Sequence, residues 1–160
     1  MLMRLVISIF LLLHVTLACG QSNQTACLPS AASYHGVNPH LLLAVLTVES
    51  GLNPLAIGKN NNGTFDIGMG QINSIHLPDL QRHGLTANHL LDACKSIYVS
   101  AWFLRRGFDR YGNTWFAAAT YHSATPEHNL RYQNLLQSAL IRKGIDPATV
   151  LPIAGKQGPT

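Results

Sequence analysis

The segment from Asn38 to Pro54 reads NPHLLLAVLTVESGLNP and contains the longest apolar run after the first twenty residues. Its first proline stands where a helix can begin, because the first helical position needs no backbone N–H. Gly51 and Pro54 then end the helical pattern. We therefore predict a helix from Pro39 to Val48, and its apolar residues indicate that it lies in the protein core.

Glu49 directly follows this apolar run and is one of only seven acidic residues in the chain. On a helix it shares a face with Leu42, Val45 and Leu46. Burial and the negative end of the helix dipole both favour the protonated carboxyl, so we expect a raised pKa. A carboxyl of this kind suits a general acid that works near neutral pH. The alternative is a side chain that turns outward into solvent where the helix ends.

The first twenty residues have the organisation of an export signal. A basic start, Met1–Arg4, precedes an apolar core, Leu5–Leu13, and small residues follow before Gly20. The apolar core is too short for a transmembrane anchor. We predict that residues 1–20 are a signal peptide cleaved after Gly20, so that the mature protein acts in the periplasm or outside the cell.

Removal of the signal leaves two of the three cysteines, Cys27 and Cys94. An even pair in an oxidising compartment is expected to form a disulfide, here closing a loop of about 67 residues. A lipoprotein anchored through Cys19 is disfavoured, because Thr16 stands where lipid-attachment signals usually have leucine. We therefore expect no stable membrane anchor after cleavage.

The composition disfavours nucleic-acid binding and metal chemistry. Loss of Arg4 reduces eleven basic residues to ten, against seven acidic ones, and the resulting charge of about +3 is spread along the chain. Such an excess does not indicate nucleic acid, but it suits an anionic polymer outside the cytoplasm. Seven histidines follow the signal, and none has metal-ligand spacing to another histidine or to an acidic cluster. We predict no metal and no cofactor.

Helical patterns account for most of the remaining sequence. Apolar residues recur with a period near 3.6 from Ala87 through Tyr111. Asn113 or Thr114 can cap a short helix that follows. Another helix is predicted to open at Pro126 and to end near Lys143.

A small β-hairpin interrupts the helices. The pair Asn62-Gly63 is a strong turn signal between two short apolar pieces within residues 56–68. The predicted fold is therefore mainly α, of the α+β class, with one hairpin inserted after the helix that bears Glu49. Residues 21–143 would form this single domain, and the Pro- and Gly-rich residues 144–160 a frayed tail.

Two further groups of residues bring together polar side chains that suit a binding or catalytic site. Gly68–Asn73 combines glycines, which allow close backbone approach, with the amides of Gln71 and Asn73, which suit hydroxyl and acetamido groups. Tyr121 and His122 bring a phenol and an imidazole to one place, where a buried phenol could bond a carboxyl. Each group also has a plain structural explanation: a polar turn, core packing of the tyrosine and a surface histidine.

Asp66, in the predicted hairpin, is the candidate for a second catalytic carboxylate. A glycosidase usually has two catalytic carboxylates that flank the scissile bond. We favour the other interpretation, in which Asp66 binds backbone amides of the turn.

Three motifs together resemble the lytic transglycosylase family, whose catalytic domain is lysozyme-like. They read ESGLNP at Glu49–Pro54, GMGQINS at Gly68–Ser74 and ATYHS at Ala119–Ser123. The resemblance covers roughly Cys27 to Leu140 in the family's order. The stretches Asp66–Asn73 and Tyr121–Pro126 are similar to those of the small specialised members that accompany type IV secretion, conjugation, type III secretion and pilus systems. The resemblance also implies a bridge between Cys27 and Cys94.

The sequence departs from the family pattern at two positions. Gly70 replaces the methionine that would line the sugar cleft, and Met69 would compensate. His122 replaces a common asparagine. These departures leave the sugar contacts of Met69 and His122 open.

The resemblance implies a role for each matched residue. Glu49 would protonate the bond between N-acetylmuramic acid and N-acetylglucosamine and then accept a proton from the muramoyl 6-hydroxyl, closing a 1,6-anhydro ring. Tyr121 would position Glu49. The remaining motif residues would bind or position the substrate, and they are Ser50, Met69, Gln71, Asn73 and His122.

Peptidoglycan strands are accordingly the expected substrate, opened locally for an envelope-spanning machine whose components are candidate partners. One alternative is a muramidase, in which water replaces the 6-hydroxyl and Asp66 matters more. Another is a wall-binding assembly factor without turnover.

Overall fold

The computed structural model describes residues 25–151, within which there are seven α helices and one antiparallel sheet. The predicted signal peptide and most of the predicted tail lie outside these residues. The helices are α1 (Leu28–His35), α2 (Pro39–Ser50), α3 (Leu77–Gln81), α4 (Ala87–Leu90), α5 (Ala93–Tyr111), α6 (Trp115–Ala119) and α7 (Pro126–Ile141). The strands are β1 (Ile57–Lys59), β2 (Phe65–Ile67) and β3 (Ile72–Asn73), and 3₁₀ turns cover Ser74–His76 and Pro147–Thr149. This confirms the α-dominant, lysozyme-like fold class.

Helix α2 lies in the core, as its apolar sequence predicts. The side chain of Asn38 accepts hydrogen bonds from the backbone N–H groups of His40, at 2.9 Å, and Leu41, which closes the start of the helix. Gly51 ends the helix with a φ of 63°. The helix packs chiefly against α7 and also contacts α1 and α5. Its fully buried side chains are Leu41, Leu42, Ala44, Val45 and Leu46.

The region from Ala87 to Tyr111 is two helices rather than one continuous element. Helix α4 ends at Leu90, and the side chain of Asp92 then accepts a hydrogen bond from the N–H of Lys95, at 2.8 Å. Such a cap starts a new helix, since it satisfies one of the free N–H groups of the first turn. The side chain of Thr114 caps α6 in the same way.

The sheet contains the predicted hairpin and one strand that the sequence did not indicate. Strands β1 and β2 pair with Gly58 opposite Asp66, and β2 pairs with β3 with Asp66 opposite Asn73. Residues directly opposite one another point to the same face, so Asp66 and Asn73 share one face of the sheet. Strand β3 has only two residues, too few for a period-two pattern.

The structure contains the expected disulfide between Cys27 and Cys94, whose Cα atoms lie 5.4 Å apart. It joins the residue before α1 to the first turn of α5. Helix α1, which sequence analysis did not predict, packs against α5 and places Ala31 and Ala32 in the core. Among residues 25–151, no helix is long and apolar enough to cross a membrane.

Candidate active site

A cleft of about 630 Å³ opens beside the C-terminal end of α2. Its walls come from the end of α2, the sheet and its turn, the following 3₁₀ turn, α5 and the segment after α6. Most of its side chains are polar amides, hydroxyls and imidazoles, with two carboxylates. The lining residues are Glu49, Asn60, Asn61, Asn62, Thr64, Asp66, Gln71, Ile72, Asn73, Ile75, His76, Phe103, Tyr121 and His122.

Glu49 lies in this cleft, in the last turn of α2, and is partly buried. Burial raises the pKa of its carboxyl to about 7, the negative charge of Asp66 adds to the rise, and a hydrogen bond from Tyr132 opposes it. The pKa therefore moves in the direction that its place on the apolar helix face predicts. Glu49 does not turn outward into solvent, since its carboxyl has a partner inside the protein.

Tyr132 is the hydrogen-bond partner of Glu49, and sequence analysis missed it. Its hydroxyl donates to Glu49 Oε1, and its side chain is only 3% exposed. Burial and the charge of Glu49 raise the pKa of Tyr132 well above its usual value, so the phenol remains a donor. Tyr132 stands four residues before the buried Leu136 on α7, a spacing that is typical of core packing. The sequence gives no signal that separates it from an ordinary core tyrosine.

Tyr121, which we expected to position Glu49, has other partners. Its hydroxyl donates to the carbonyl oxygen of Gly70 at 2.7 Å and lies 3.1 Å from Ser100 Oγ. The Tyr121 hydroxyl thus bonds these two groups rather than a carboxyl, and its role in positioning Glu49 stays a prediction. Burial raises the pKa of Tyr121, and the charge of Glu49 adds to this effect, so its hydroxyl stays protonated and holds the Gly70 backbone in place.

The same contact explains why glycine occupies position 70. A Cβ at Gly70 would meet Ser100 Oγ at 1.9 Å and the Tyr121 hydroxyl at 2.7 Å. No larger side chain fits there without moving both groups. The prediction that Met69 compensates by lining the cleft is wrong, because Met69 is fully buried in the core.

Gln71 and Asn73 lie in the cleft wall, but their amide N–H groups are bound within the protein. Nε2 of Gln71 donates to the carbonyl oxygens of Gly68, at 2.8 Å, and Ala56, at 3.2 Å. Nδ2 of Asn73 donates to Asp66 Oδ1 at 2.8 Å, and its Oδ1 accepts from the N–H of Ile75 at 3.0 Å. These bonds hold the two amides in the wall, and their contacts with a substrate stay a prediction.

Asp66 is held by side chains rather than by the backbone amides that we expected. Nδ2 of Asn60 donates to Oδ2 at 2.9 Å, and Nδ2 of Asn73 donates to Oδ1 at 2.8 Å. Both carboxylate oxygens thus have an amide donor. The structure therefore brings two carboxyl groups, Asp66 and Glu49, into one cleft, and Glu49 is the one whose pKa is raised.

Ser50 and His122 complete the predicted site residues. Ser50 Oγ donates to the carbonyl oxygen of Met69 at 2.7 Å and accepts from the N–H of Asn53, so it ties the end of α2 to the cleft wall. His122 is exposed in the cleft, and its ring stacks on that of Tyr132. Within residues 25–151, no group of three or more histidine, cysteine or acidic side chains could hold a metal ion.

Comparison with known proteins gives a consistent result. The family model described as "Transglycosylase SLT domain" matches residues 26–154. Invasion protein IagB of Salmonella typhimurium (strain SL1344) is 36% identical over 100 residues, 62% of each chain. A peptidoglycan-binding-like protein of Escherichia coli O157:H7 is 36% identical over 107 residues (62% of this chain, 64% of that one). The X polypeptide of Escherichia coli is 32% identical over 116 residues (72% and 69%). The matched region thus spans slightly less than two thirds of the first two relatives.

Proposed function

Because the chain belongs to the transglycosylase SLT family, we propose that it cleaves the β-1,4 bond between N-acetylmuramic acid and N-acetylglucosamine in peptidoglycan and leaves a 1,6-anhydro ring. The observation that carries this proposal is the carboxyl of Glu49, whose pKa of about 7 lets it both give and take a proton near neutral pH. One such carboxyl is sufficient if a group of the substrate replaces the second carboxylate that most glycosidases use.

The reaction would proceed in two proton transfers. Glu49 protonates the glycosidic oxygen, the C1–O bond breaks, and the 2-acetamido carbonyl oxygen of the muramoyl residue bonds to C1 and stabilises the positive charge. The muramoyl 6-hydroxyl then attacks C1, the acetamido group is released, and the 6-hydroxyl proton passes to Glu49. The carboxyl returns to its starting state, and no water is consumed.

Two tyrosines would support these steps in different ways. The hydroxyl of Tyr132 donates to Glu49 Oε1 and so stabilises the carboxylate that forms after the first transfer. The hydroxyl of Tyr121 bonds to Gly70 and fixes the backbone of the cleft wall. Tyr132 thus lowers the proton affinity that burial raises, while Tyr121 shapes the surface on which the sugar would lie.

The biological setting is part of the same proposal. A signal peptide at residues 1–20 would export a domain of residues 21–143 to the periplasm or beyond, where peptidoglycan lies. Local opening of the wall would then admit an envelope-spanning machine, such as a type IV or type III secretion, conjugation or pilus apparatus. The name of one relative, "Invasion protein", supports such a setting. Cell fractionation, with and without residues 1–20, tests the export step.

Mass spectrometry of digested peptidoglycan tests the chemistry. The wild-type protein should release fragments with anhydro-muramoyl ends, one water lighter than reducing ends. Glu49→Gln should release none while it keeps the fold. Glu127→Gln is the matched control, because Glu127 is the other glutamate and lies exposed in the first turn of α7. Wall binding by a wild-type protein that releases no fragments would instead indicate an assembly factor.

One observation favours a second candidate, a muramidase. Asp66 lies in the same cleft, and its negative charge contributes to the raised pKa of Glu49. A paired acid and carboxylate is the arrangement that hydrolytic glycosidases use. Products with reducing ends alone, from the experiment above, would establish hydrolysis and overturn the transglycosylase proposal.

A further inference from the structure

The imidazole of His122 lies flat against the ring of Tyr132. The ring centroids are 5.0 Å apart, and the ring planes differ by only 10°. Tyr132 is buried, whereas His122 is exposed and lines the cleft. The exposed imidazole therefore stacks on the buried tyrosine ring from the side of the cleft.

Tyr132 depends on such a contact to keep its hydroxyl in place. Among residues 25–151, Glu49 is the only side chain or backbone group that its hydroxyl bonds. A phenol ring can swing about its side-chain torsions, and a single hydrogen bond at its tip does not fix the ring plane. Contacts on the ring faces must therefore hold the hydroxyl at Glu49 Oε1.

His122 is itself held by the helix that carries Tyr132. Asn129, fully buried on α7, donates from Nδ2 to the carbonyl oxygens of Ser123, at 2.8 Å, and Phe116, at 3.0 Å. Gln133 Nε2 in turn donates to Asn129 Oδ1 at 2.7 Å. These bonds fix the backbone next to His122 against Asn129, which lies about one helical turn before Tyr132 on α7.

We propose that His122 is a positioning residue, which holds the ring of Tyr132 so that the phenol hydroxyl stays on Oε1 of Glu49. The consequence for catalysis rests on the proposed function, since it requires Glu49 to be the acid. The stack itself is a property of the folded protein without substrate. Histidine at this position, where asparagine is common in the family, thus serves as a flat ring rather than as a proton carrier.

The charged groups around the stack are consistent with a neutral ring. His128 and Arg131 on α7 and Asp66 on β2 face His122. Partial burial of the imidazole ring lowers the pKa of His122. The positive charges of His128 and Arg131 lower that pKa further, and the charge of Asp66 opposes them. The imidazole is therefore uncharged near neutral pH and stacks through its face. Within residues 25–151, Tyr132 and Asp66 shift the pKa of Glu49, and the charge of Glu49 in turn raises the pKa values of Tyr121 and Tyr132.

The carboxyl titration of Glu49, followed by NMR in ¹³C-glutamate-labelled protein, tests the proposal without substrate. The chain has two glutamates, so the spectrum contains two carboxyl signals, and Glu127 serves as the internal reference. Tyr132→Phe should raise the Glu49 pKa by about 1 unit, because the bond that lowers it is lost. His122→Ala should raise the pKa by a smaller amount, on the order of 0.5 unit, and His122→Phe, which keeps a ring, should leave it at the wild-type value.

The double variant His122→Ala/Tyr132→Phe should titrate like Tyr132→Phe alone, since the stack acts only through the hydroxyl. His40→Ala is the control, because His40 is an exposed histidine on the same helix as Glu49. The proposal is overturned if His122→Ala titrates like wild type, if His122→Phe shifts as far as His122→Ala, or if the two substitutions add. If these pKa shifts are present but no anhydro product forms, the proposed function is overturned and the positioning role of His122 stands.

Discussion

Tyr132 on α7 donates a hydrogen bond to Glu49 on α2 across 83 positions of the sequence. Helices α2 and α7 pack against each other along the core, so the bond joins two elements that already share an apolar interface. At the end of that interface a carboxyl is partly buried and opens to the cleft. The core thus raises the proton affinity of Glu49, and Tyr132 moderates the rise.

Replacement of Tyr132 by phenylalanine should shift the pH dependence of peptidoglycan cleavage. Loss of the hydroxyl removes a bond that lowers the Glu49 pKa, so the alkaline limb of kcat/KM should move upward by about 1 pH unit. The carboxylate formed in the first step also loses a donor, and kcat should fall by about tenfold. Tyr111→Phe is the control, because the Tyr111 ring packs against Phe116 and its hydroxyl bonds no residue within 25–151. An unmoved limb would contradict the role given to Tyr132.

Stability should depend on pH through Glu49 in a defined direction. Its folded pKa of about 7 lies above the ordinary glutamate value of 4.5, so the carboxyl destabilises the fold once it must ionise. Relative to Glu49→Gln, the wild-type free energy of unfolding should be constant below pH 4.5 and should fall between pH 4.5 and 7. The total fall should be about 2–3 kcal/mol, given partial exposure of the group. Urea unfolding at pH 4, 6 and 8 measures it.

Glu127→Gln serves as the matched comparison in that series, because Glu127 is exposed at the start of α7. The Glu127→Gln variant should retain the fall in stability with pH that the wild type shows, because it keeps Glu49. If Glu49→Gln retained the same fall, the Glu49 carboxyl would not carry the raised proton affinity.

Local sequence was sufficient to predict α2 and the environment of Glu49. The apolar run, the Asn38 cap and the terminating Gly51 all act within one segment, so periodicity alone places Glu49 on the buried face. The hairpin was predicted for the same reason, because Asn62-Gly63 lies in its turn. The structure adds how far the pKa of Glu49 rises. It also adds the residues from other segments that change this pKa, Tyr132 and Asp66.

Contacts between distant segments could not be predicted in this way. Tyr121 and Tyr132 both look like tyrosines on apolar helix faces, and only the packing of α7 against α2 decides which hydroxyl reaches Glu49. The prediction for Met69 was wrong because residues 68–71 form an irregular turn, without a period that would separate its two sides. Its close approach to Ser100 on α5 determines which side chain enters the core.

Loss of the disulfide should reduce stability without changing the cleft. Cys27 and Cys94 lie 67 positions apart, and the loop-closure entropy for that span corresponds to about 4 kcal/mol. The variant Cys27→Ala/Cys94→Ala should therefore lose about 3–4 kcal/mol in urea unfolding while it retains the NMR titration of Glu49. Peptide mapping of exported protein under nonreducing conditions should recover the two cysteines linked. Recovery of both as free thiols would contradict the bridge.

Replacement of Asp66 by asparagine separates the two reaction schemes. In the transglycosylase, Asp66 acts only through its charge, which raises the Glu49 pKa. Asp66→Asn should therefore move the alkaline limb of cleavage to lower pH, the opposite direction to Tyr132→Phe, and anhydro products should persist. In a muramidase the carboxylate takes part in the reaction, so the same substitution should reduce kcat by about 10³-fold or more.

Asp66→Asn also disturbs the hydrogen bonds from the amides that hold residue 66. A loss of stability from this cause has to be distinguished from a loss of catalysis. An asparagine amide would oppose one of the donors from Asn60 and Asn73, at a cost of about 1 kcal/mol in stability. Asp109→Asn is the control, because Asp109 pairs with Arg105 on the exposed surface of α5. Suppose that Asp66→Asn stays folded and lowers the Glu49 pKa, yet cleavage is lost at every pH. The change in the Glu49 pKa would then be insufficient to explain the loss of cleavage. Asp66 would then be a reacting group, and the enzyme would be a hydrolase.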